Sequence, residues 1–236
     1  MGSNNLKRVI ESRWFQHLAE RRRWKFWEWF LIWRHDFSTK DKMKRVFRRK
    51  IDPYQYRTSS YEQDRLKYME SIIAGHRYRS GLEIGCAEGH VVLMLKSFCD
   101  HFTAIDLSAD ALARAKKALN GICVELVLGN ARTWEPNRVF DLIVLADVLY
   151  YLGDPIKGPI FERTFDDFLK RINSWLEPGG HILLASGFGT ERERNVREDY
   201  ALRFERLGLK RLRTDIIGVQ PHDKGNLKCL LHLLEK

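Results

Sequence analysis

The sequence lacks several features that would place a protein in a recognisable class at once. No stretch approaches the roughly 20 consecutive apolar residues of a membrane-spanning helix. The amino terminus has neither the apolar core nor the small-residue cleavage site of a secretory signal. The 4 cysteines of the 236-residue chain have no C-x-x-C spacing and no histidines at zinc-finger intervals, which argues against structural zinc and a disulfide framework. We therefore expect a cytoplasmic protein with reduced thiols and no metal.

The positive charge of the protein is concentrated at one end of the chain. The formal net charge is +10, and residues 1–50 hold 15 of the 41 basic side chains but only 5 of the 31 acidic ones. The rest of the chain is therefore close to neutral, and the basic balance says little about what enters an active site. We divide the chain into a basic, tryptophan-rich helical extension (residues 1–50) and a main domain (residues 51–236).

In the main domain, short apolar runs alternate with helical patterns. Such runs are typical of strands buried on both faces of a parallel sheet, and they occupy residues 80–86, 101–108, 123–130, 140–147 and 180–187. Alternation of strand and helix indicates βαβ units with right-handed crossovers. Ser108 is predicted to cap the start of a helix, and Pro178-Gly179-Gly180 to form a turn that ends one. Two further runs near the carboxyl end, separated by QPHDKG, predict an antiparallel hairpin. The predicted fold is a Rossmann-like, doubly wound α/β domain with a seven-stranded, mostly parallel sheet.

The segment LEIGCAEGH, residues 82–90, follows the first predicted strand, where open parallel sheets bind ligands. A dinucleotide fingerprint starting at Gly85 would require glycine at positions 87 and 90, where the chain has alanine and histidine. Small residues at positions 85, 87 and 89 allow a backbone to approach a ligand closely. Glu83 would repel a pyrophosphate and attract a cationic ligand. The alternative is ordinary turn chemistry between a strand and a helix.

Polar residues also end the next two predicted strands. Asp106 ends the second strand, where a carboxylate can accept both hydroxyls of a ribose. Asn130 follows the third strand, where its side chain and a backbone amide would contact an adenine edge. These positions extend the predicted nucleoside site along the carboxyl edge of the sheet.

In this order, the motifs resemble those of class I S-adenosylmethionine-dependent methyltransferases over about residues 80–187. The segments DPYQYRTSSYEQDRLKYMESIIAGHRYRSGLEIGC (52–86) and FDLIVLADVLYYL (140–152) are similar to the nodulation protein S family. The resemblance implies the seven-stranded methyltransferase fold, S-adenosyl-L-methionine as cofactor and S-adenosyl-L-homocysteine as product. Nodulation protein S methylates the free amine of a chitooligosaccharide. This chain departs from the family pattern at Tyr54, Glu88, His90 and Asp147, which leaves the acceptor open.

The resemblance also implies a set of cofactor-binding residues at the carboxyl ends of the strands and on a lid before the first strand. They are Tyr61, Glu83, Gly85, Cys86, Ala87, Gly89, Asp106, Leu107, Asn130, Ala131, Arg132 and Ala146. Tyr54, Tyr56 and Arg57 would join Tyr61 in the lid; a plain amphipathic helix is the alternative.

The predicted catalytic residues follow the fourth strand, on the rim to which the methyl group would point. Asp147 would accept a proton or hold an ammonium, and Tyr150 and Tyr151 would form a wall of the acceptor pocket. His222, in the loop between the last two strands, is the fourth candidate, and His90 would also face the acceptor. The alternatives are a helix cap for Asp147, packing for the tyrosines and solvation for the histidines.

These residues predict a methyltransferase that acts on an amine or hydroxyl of a small biosynthetic acceptor containing a sugar, such as a saccharide, a glycolipid or a natural product. Alternatives are an RNA methyltransferase that uses the basic extension to hold phosphates, and a non-catalytic interaction protein that keeps the fold. The neutral main domain argues against nucleic acid.

The extension carries the motif RRRWKFWEWFLIWRHDF, residues 21–37, preceded at helical spacing by Trp14, Phe15 and Leu18. Its aromatic residues would pack on the main domain or across a homodimer, or lie on an anionic membrane surface at the inner face, with basic residues on the lipid phosphates. Nucleic acid is the third alternative.

Overall fold

The computed structural model describes residues 13–152 and 159–236. Two compact units divide between Asp41 and Lys42, before the predicted boundary at residue 50. Helix α1 (Arg13–Arg49) covers most of the predicted extension. This long segment contains neither glycine nor proline, and Arg48 and Arg49 in its last turn complement the negative end of the helix dipole.

Seven strands form one sheet in the order β3-β2-β1-β4-β5-β7-β6. They are β1 Tyr78–Ile84, β2 Cys99–Asp106, β3 Val124–Leu128, β4 Phe140–Ala146, β5 Leu176–Phe188, β6 Lys210–Ile217 and β7 Lys228–Glu235. Strands β1 to β5 pair in parallel, whereas β7 pairs antiparallel with both β5 and β6. The order reverses between β1 and β4, which opens a crevice at their carboxyl ends. The predicted fold class, including the carboxyl-terminal hairpin, is confirmed.

Three helices of the larger unit begin at side-chain caps that the sequence supplies. The helices described in this unit are α2 Ser60–Ile73, α3 His90–Leu95, α4 Ala109–Ala118, α5 Pro159–Trp175 and α6 Glu191–Arg206, with a 3-10 helix at Leu149–Tyr151. Ser59 caps α2, and Ser108 caps α4 as predicted. Thr190 and Glu193 form a reciprocal capping box at the start of α6.

Two apolar clusters cover opposite faces of the sheet. Neighbouring residues of β2 show the division, because Ala104 packs with α2, α3 and α4, whereas Ile105 packs with α5 and α6. Burial on both faces explains why the central strands are continuous apolar runs rather than alternating ones. In open α/β sheets of this kind, ligands bind at the carboxyl edge of the strands where the order reverses, here β1 and β4.

Strand β5 begins earlier than predicted. The turn-forming sequence Pro178-Gly179-Gly180, expected to separate a helix from the strand, lies within it. The ladder with β4 absorbs these residues as an irregularity, since Phe140 pairs with Leu176 but Leu142 pairs with His181.

Candidate active site

The loop between β1 and α3 passes three times through left-handed backbone. The φ angle is +79° at Gly85, +47° at Ala87 and +81° at Gly89. A Cβ at Gly85 would lie 2.7 Å from the Val148 side chain, and one at Gly89 would lie 2.8 Å from Leu119. Both glycines are therefore required by conformation and by packing. Ala87 holds a conformation that is strained for alanine, a feature that clusters at ligand-binding sites.

Asp106 fixes this loop from the end of β2. Its Oδ2 accepts a hydrogen bond from the Ala87 N–H at 2.9 Å, and its Oδ1 accepts one from the Ser108 N–H at 2.8 Å. Burial raises the pKa of Asp106, and these hydrogen bonds oppose the rise. Because each carboxylate oxygen has two lone pairs, Asp106 can still accept hydrogen bonds from two hydroxyls of a ligand.

Glu83 is a buried carboxylate in β1, immediately before the loop. Glu83 is only 2% exposed, and its Oε2 has no hydrogen-bond partner among the residues that the structure describes. Burial, and then repulsion from Asp106, raise the pKa of Glu83 to about 8. An ionised carboxylate without a partner is costly in such a place. A cationic ligand would remove that cost.

Three further predicted cofactor residues lie at the same edge of the sheet. Cys86 and Ala146 are buried, and Leu107 is half-buried. Burial raises the pKa of the Cys86 thiol well above its usual value. These side chains therefore contribute apolar, uncharged surface beside Glu83 and Asp106.

The polar side chains that follow β3 form hydrogen bonds to backbone groups of the protein. The Asn130 Oδ1 accepts a hydrogen bond from the Arg132 N–H at 3.0 Å, and Ala131 is buried. The Arg132 guanidinium donates to the carbonyl of Leu152, beside the 3-10 helix. Arg132 thus braces the segment that follows β4, while Asn130 and Ala131 remain at the predicted edge.

Asp147 lies directly after β4 and has a φ angle of +50°. Both of its carboxylate oxygens accept hydrogen bonds. Oδ1 accepts from the Gly187 N–H at 2.7 Å, and Oδ2 accepts from Nη1 of Arg65 at 2.9 Å. The side chain is still 28% exposed. Asp147 is therefore a fixed, ion-paired carboxylate with lone pairs open to the crevice.

Arg65 on α2 is the central residue of a buried polar network. Its guanidinium contacts Glu62 at 2.8 Å and Asp147 at 2.9 Å, and donates to the Tyr56 hydroxyl at 3.1 Å. The Arg65 side chain is 1% exposed. Burial raises the pKa of Glu62, and Arg65 opposes the rise. The network ties the predicted lid to the predicted catalytic carboxylate.

Nothing in the sequence motifs singles out Arg65, although a signal exists. Tyr61, Arg65, Met69 and Ile72 share one face of α2 at helical spacing, and all four are buried. An arginine in the middle of an apolar helical stripe requires buried anionic partners. The stripe could therefore have predicted a buried ion pair, but not which residues form it.

Aromatic rings border the crevice beside this network. The Tyr150 and Tyr151 rings lie 4.4 Å apart, Tyr56 stacks on His90 at 4.9 Å, and Tyr54 meets Tyr56 edge to face at 6.2 Å. Burial raises the pKa values of Tyr54, Tyr56 and Tyr150. These phenols therefore remain neutral hydrogen-bond donors rather than bases at ordinary pH.

Glu88 and His90, the two unusual loop residues, connect the glycine-rich loop to the entry segment. Glu88 accepts from the Asp52 N–H at 3.1 Å and from Arg114 at 2.6 Å. Ligand atoms of Asp52, Glu88 and His90 lie within 4.8 Å of one another. However, the Asp52 carboxylate accepts two backbone N–H groups of the following turn. The Glu88 and Asp52 carboxylates therefore both have hydrogen-bond donors within the protein, and their proximity does not require a metal ion to explain it.

His222 lies against Tyr61, with ring centroids 4.6 Å apart. Its Nδ1 accepts from the Lys224 N–H at 3.0 Å, and its Nε2 donates to the Leu227 carbonyl at 2.7 Å. Asp223 accepts from the Tyr61 N–H and from two serine hydroxyls at the start of α2. The β6–β7 loop thus fastens the lid, and both nitrogens of His222 are occupied within that loop.

Comparison with known proteins identifies one family over most of the larger unit. A family model described as nodulation protein S (NodS) matches residues 39–187. Nodulation protein S of Rhizobium tropici is 30% identical over 146 residues, which cover 61% of this chain and 57% of that protein. Its counterpart in Sinorhizobium fredii is 28% identical over 137 residues, covering 57% and 60%. The chain therefore spans about three-fifths of the length of these curated relatives.

The solved structures give the same fold. The crystal structure of N-methyltransferase NodS from Bradyrhizobium japonicum WM9 in complex with S-adenosyl-L-homocysteine superposes with a TM-score of 0.67 and 23% identity. The superposition covers 84% of this chain and 98% of that one.

Proposed function

The chain belongs to the nodulation protein S family, and from that premise we propose that it is an S-adenosylmethionine-dependent methyltransferase. The observation that carries the proposal is Glu83, whose buried, unpartnered oxygen lies beside a left-handed loop of small residues. S-adenosylmethionine carries an ammonium and a sulfonium, and these are the charges that such a site lacks.

The described residues fit this cofactor along its length. Glu83 would attract its cationic methionine end, and the backbone of the loop from Gly85 to Gly89 would lie against it. Asp106 has lone pairs left for both ribose hydroxyls. Asn130 and Ala131 follow β3 on the side expected for the adenine. When bound, S-adenosylmethionine supplies a methyl carbon that its sulfonium activates for in-line displacement.

The residues of the protein would align the acceptor and manage its proton. Arg65 pairs with Asp147 at 2.9 Å and holds this carboxylate in place. Asp147 would use an open lone pair to accept a hydrogen bond from the acceptor, which aims the acceptor nitrogen or oxygen at the methyl carbon. A neutral amine needs only this alignment, whereas a hydroxyl also needs Asp147 to take its proton as the new bond forms.

The proposed acceptor is an amine or a hydroxyl of a small, sugar-containing biosynthetic molecule. Family membership supports it, and so does the group of aromatic rings beside Asp147. A ring such as Tyr150 can pack against the apolar face of a sugar, while a neutral phenol donates to a sugar oxygen. Incubation with labelled S-adenosylmethionine and host extract, followed by mass spectrometry, would identify the methylated product.

Calorimetric titration with S-adenosylhomocysteine tests the cofactor site directly. We expect binding that Asp106→Asn weakens at least about tenfold, since two hydrogen bonds to a charged group are each worth about 1.5 kcal/mol or more. Asp100→Asn at the other, exposed end of β2 is the matched control and should change the affinity less than about twofold. Absence of binding would refute the cofactor, and indifference to Asp106→Asn would refute the assigned site. Binding without turnover on any acceptor would indicate a non-catalytic protein.

RNA methylation is a second candidate, favoured by one cationic cavity of about 390 Å³. Four basic residues line it beside two apolar ones, and the lining residues are Lys42, Arg45, Val46, Arg49, Lys50 and Pro53. This candidate requires RNA to accept label and the binding of RNA to weaken steeply with salt. Methylation of the small-molecule fraction with no label in RNA would exclude it.

A further inference from the structure

Helix α1 presents a continuous row of aromatic rings, which we call the aromatic stripe: Phe26, Trp29, Phe30, Trp33 and Phe37. Their spacing of three, four, seven and eleven residues from the first places them on one face of the helix. The rings contact one another in sequence, with centroids 6.2 Å apart for Phe26 and Trp29, 6.3 Å for Trp29 and Trp33, and 5.7 Å for Trp33 and Phe37. The aromatic stripe extends roughly 16 Å along the helix axis.

Most of the aromatic stripe is open to water. Phe26 is 60% exposed, Trp29 60%, Trp33 49% and Phe37 61%. Their mutual contacts leave these rings largely solvated, and a contiguous apolar patch of this kind usually marks an interaction surface. Exposure of these rings to water is unfavourable. A partner that covers them would therefore bind with a favourable contribution from the apolar area removed from water.

The charge around the aromatic stripe selects the class of partner. The chain from residue 1 to residue 50 is strongly basic, with cationic runs on both sides of the aromatic stripe at residues 21–25 and 40–50. A second copy of the same segment would bring like charges together, whereas an anionic surface would attract them. Tryptophan at the level of the lipid headgroups, with lysine and arginine on lipid phosphates, is the pattern of an interfacial helix.

The helix is suited to lie on a bilayer rather than to cross it. In the part of the chain that the structure describes, no helix is long and apolar enough to span a membrane. Glu28 and Arg34 interrupt the apolar sequence between residues 26 and 37 off the aromatic stripe, and charged residues of this kind remain in water when only one helical face is inserted. The predicted contributions of Trp14, Phe15, Leu18 and Trp24 fall on side chains outside the described residues.

We propose that the aromatic stripe inserts into the headgroup region of an anionic lipid bilayer, with the neighbouring basic residues on the lipid phosphates. The methyl-transfer site belongs to the other compact unit, so this surface stands independently of the proposed function. Its consequence would be to hold the enzyme where lipid-linked or membrane-delivered acceptors are concentrated.

Vesicle sedimentation of the full-length protein tests the proposal. We expect binding to vesicles of phosphatidylglycerol and phosphatidylcholine, weakened by salt, and little binding to phosphatidylcholine alone. Trp33→Gln should lower the apparent affinity by roughly tenfold through lost apolar burial. Leu31→Gln, an apolar residue off the aromatic stripe on the same helix, is the matched control and should change it less than about twofold. Glutamine retains good helix propensity, so the helix itself should persist.

A combined variant replaces four rings of the aromatic stripe: Phe26→Gln, Trp29→Gln, Trp33→Gln and Phe37→Gln. It should bind anionic vesicles no better than neutral ones, while its affinity for S-adenosylhomocysteine stays unchanged. Quenching of tryptophan fluorescence by bromine-labelled lipid chains in the wild type would support insertion. Undiminished vesicle binding by the combined variant would overturn the proposal. So would a wild-type dimer that the same substitutions dissociate, or binding to RNA without binding to vesicles.

Discussion

Glu83→Gln should make the ligand-free protein more stable while it weakens cofactor binding. The substitution keeps the size of the side chain and removes its charge. In the folded protein the pKa of Glu83 is raised to about 8, whereas an unfolded chain releases this proton near its usual pKa of about 4.3. The folded state thus prefers the protonated form. The resulting stability is fully present below about pH 4.3 and is lost as the pH rises through 8.

The magnitude follows from the separation of the two pKa values. About 3.7 pKa units correspond to roughly 5 kcal/mol at most, and relaxation around an ionised carboxylate reduces this ceiling. We expect Glu83→Gln to leave the free energy of unfolding nearly unchanged at pH 4.5 and to raise it by about 2–4 kcal/mol at pH 8.5. The gain grows with pH because only the wild type acquires a buried negative charge at this position.

Urea unfolding at both pH values, followed by circular dichroism, measures this difference. Glu125→Gln, at an exposed position of β3, is the matched control for removing a carboxylate from the sheet. In parallel, titration at pH 8 should show S-adenosylmethionine affinity reduced at least about tenfold by Glu83→Gln, since a charged hydrogen-bond partner is lost. A stability change independent of pH, or a destabilised variant at pH 8.5, would refute the reasoning.

Two further variants separate structural from catalytic roles. Arg65→Met should lower the free energy of unfolding at pH 8 by about 3–5 kcal/mol, because it leaves Glu62 and Asp147 without their buried cation. In urea unfolding, the double variant Arg65→Met with Glu62→Gln should recover part of this loss. A loss below about 1 kcal/mol in Arg65→Met would contradict the assigned network. His222→Phe keeps a ring against Tyr61 but removes two hydrogen bonds, so the free energy of unfolding should fall by about 1–2 kcal/mol. At any pH between 6 and 8, kcat of this variant should differ from that of the wild type by less than about threefold. A fall in kcat of about a hundredfold or more would instead indicate a proton-transfer role for His222.

The strands were predictable because burial on two faces leaves a strong local pattern. In β4, every residue but Asp141 is buried, and the residues from Leu142 to Ala146 form a continuous apolar run. The edge strand β3 is only partly buried, and at Val124–Leu128 it is shorter than the predicted run of residues 123–130. Where several patterns agree, as with the cap at Ser108, the prediction extends to single residues.

The polar network was not predictable, because its partners are distant in sequence. Arg65 and Asp147 are 82 residues apart, and no local pattern records which carboxylate reaches which guanidinium. The sequence places His222 near the acceptor side, but only the loop conformation shows that both of its nitrogens are bonded to its own loop. The roles of Asp147, Tyr150 and Tyr151 in catalysis stay predictions that turnover measurements must test.

The departures from the family pattern at Glu88 and His90 acquire a physical reason in the structure. Glu88 accepts hydrogen bonds from Asp52 in the entry segment and from Arg114 on α4, and His90 stacks on Tyr56 of the same segment. Tyr56 in turn bonds to Arg65. A residue without a carboxylate at position 88 would leave the entry segment without these hydrogen bonds. The glycine-rich loop, Tyr56 and Asp147 are therefore connected through the entry segment and Arg65, so we expect a change in the entry segment to affect both the proposed cofactor loop and the proposed acceptor side.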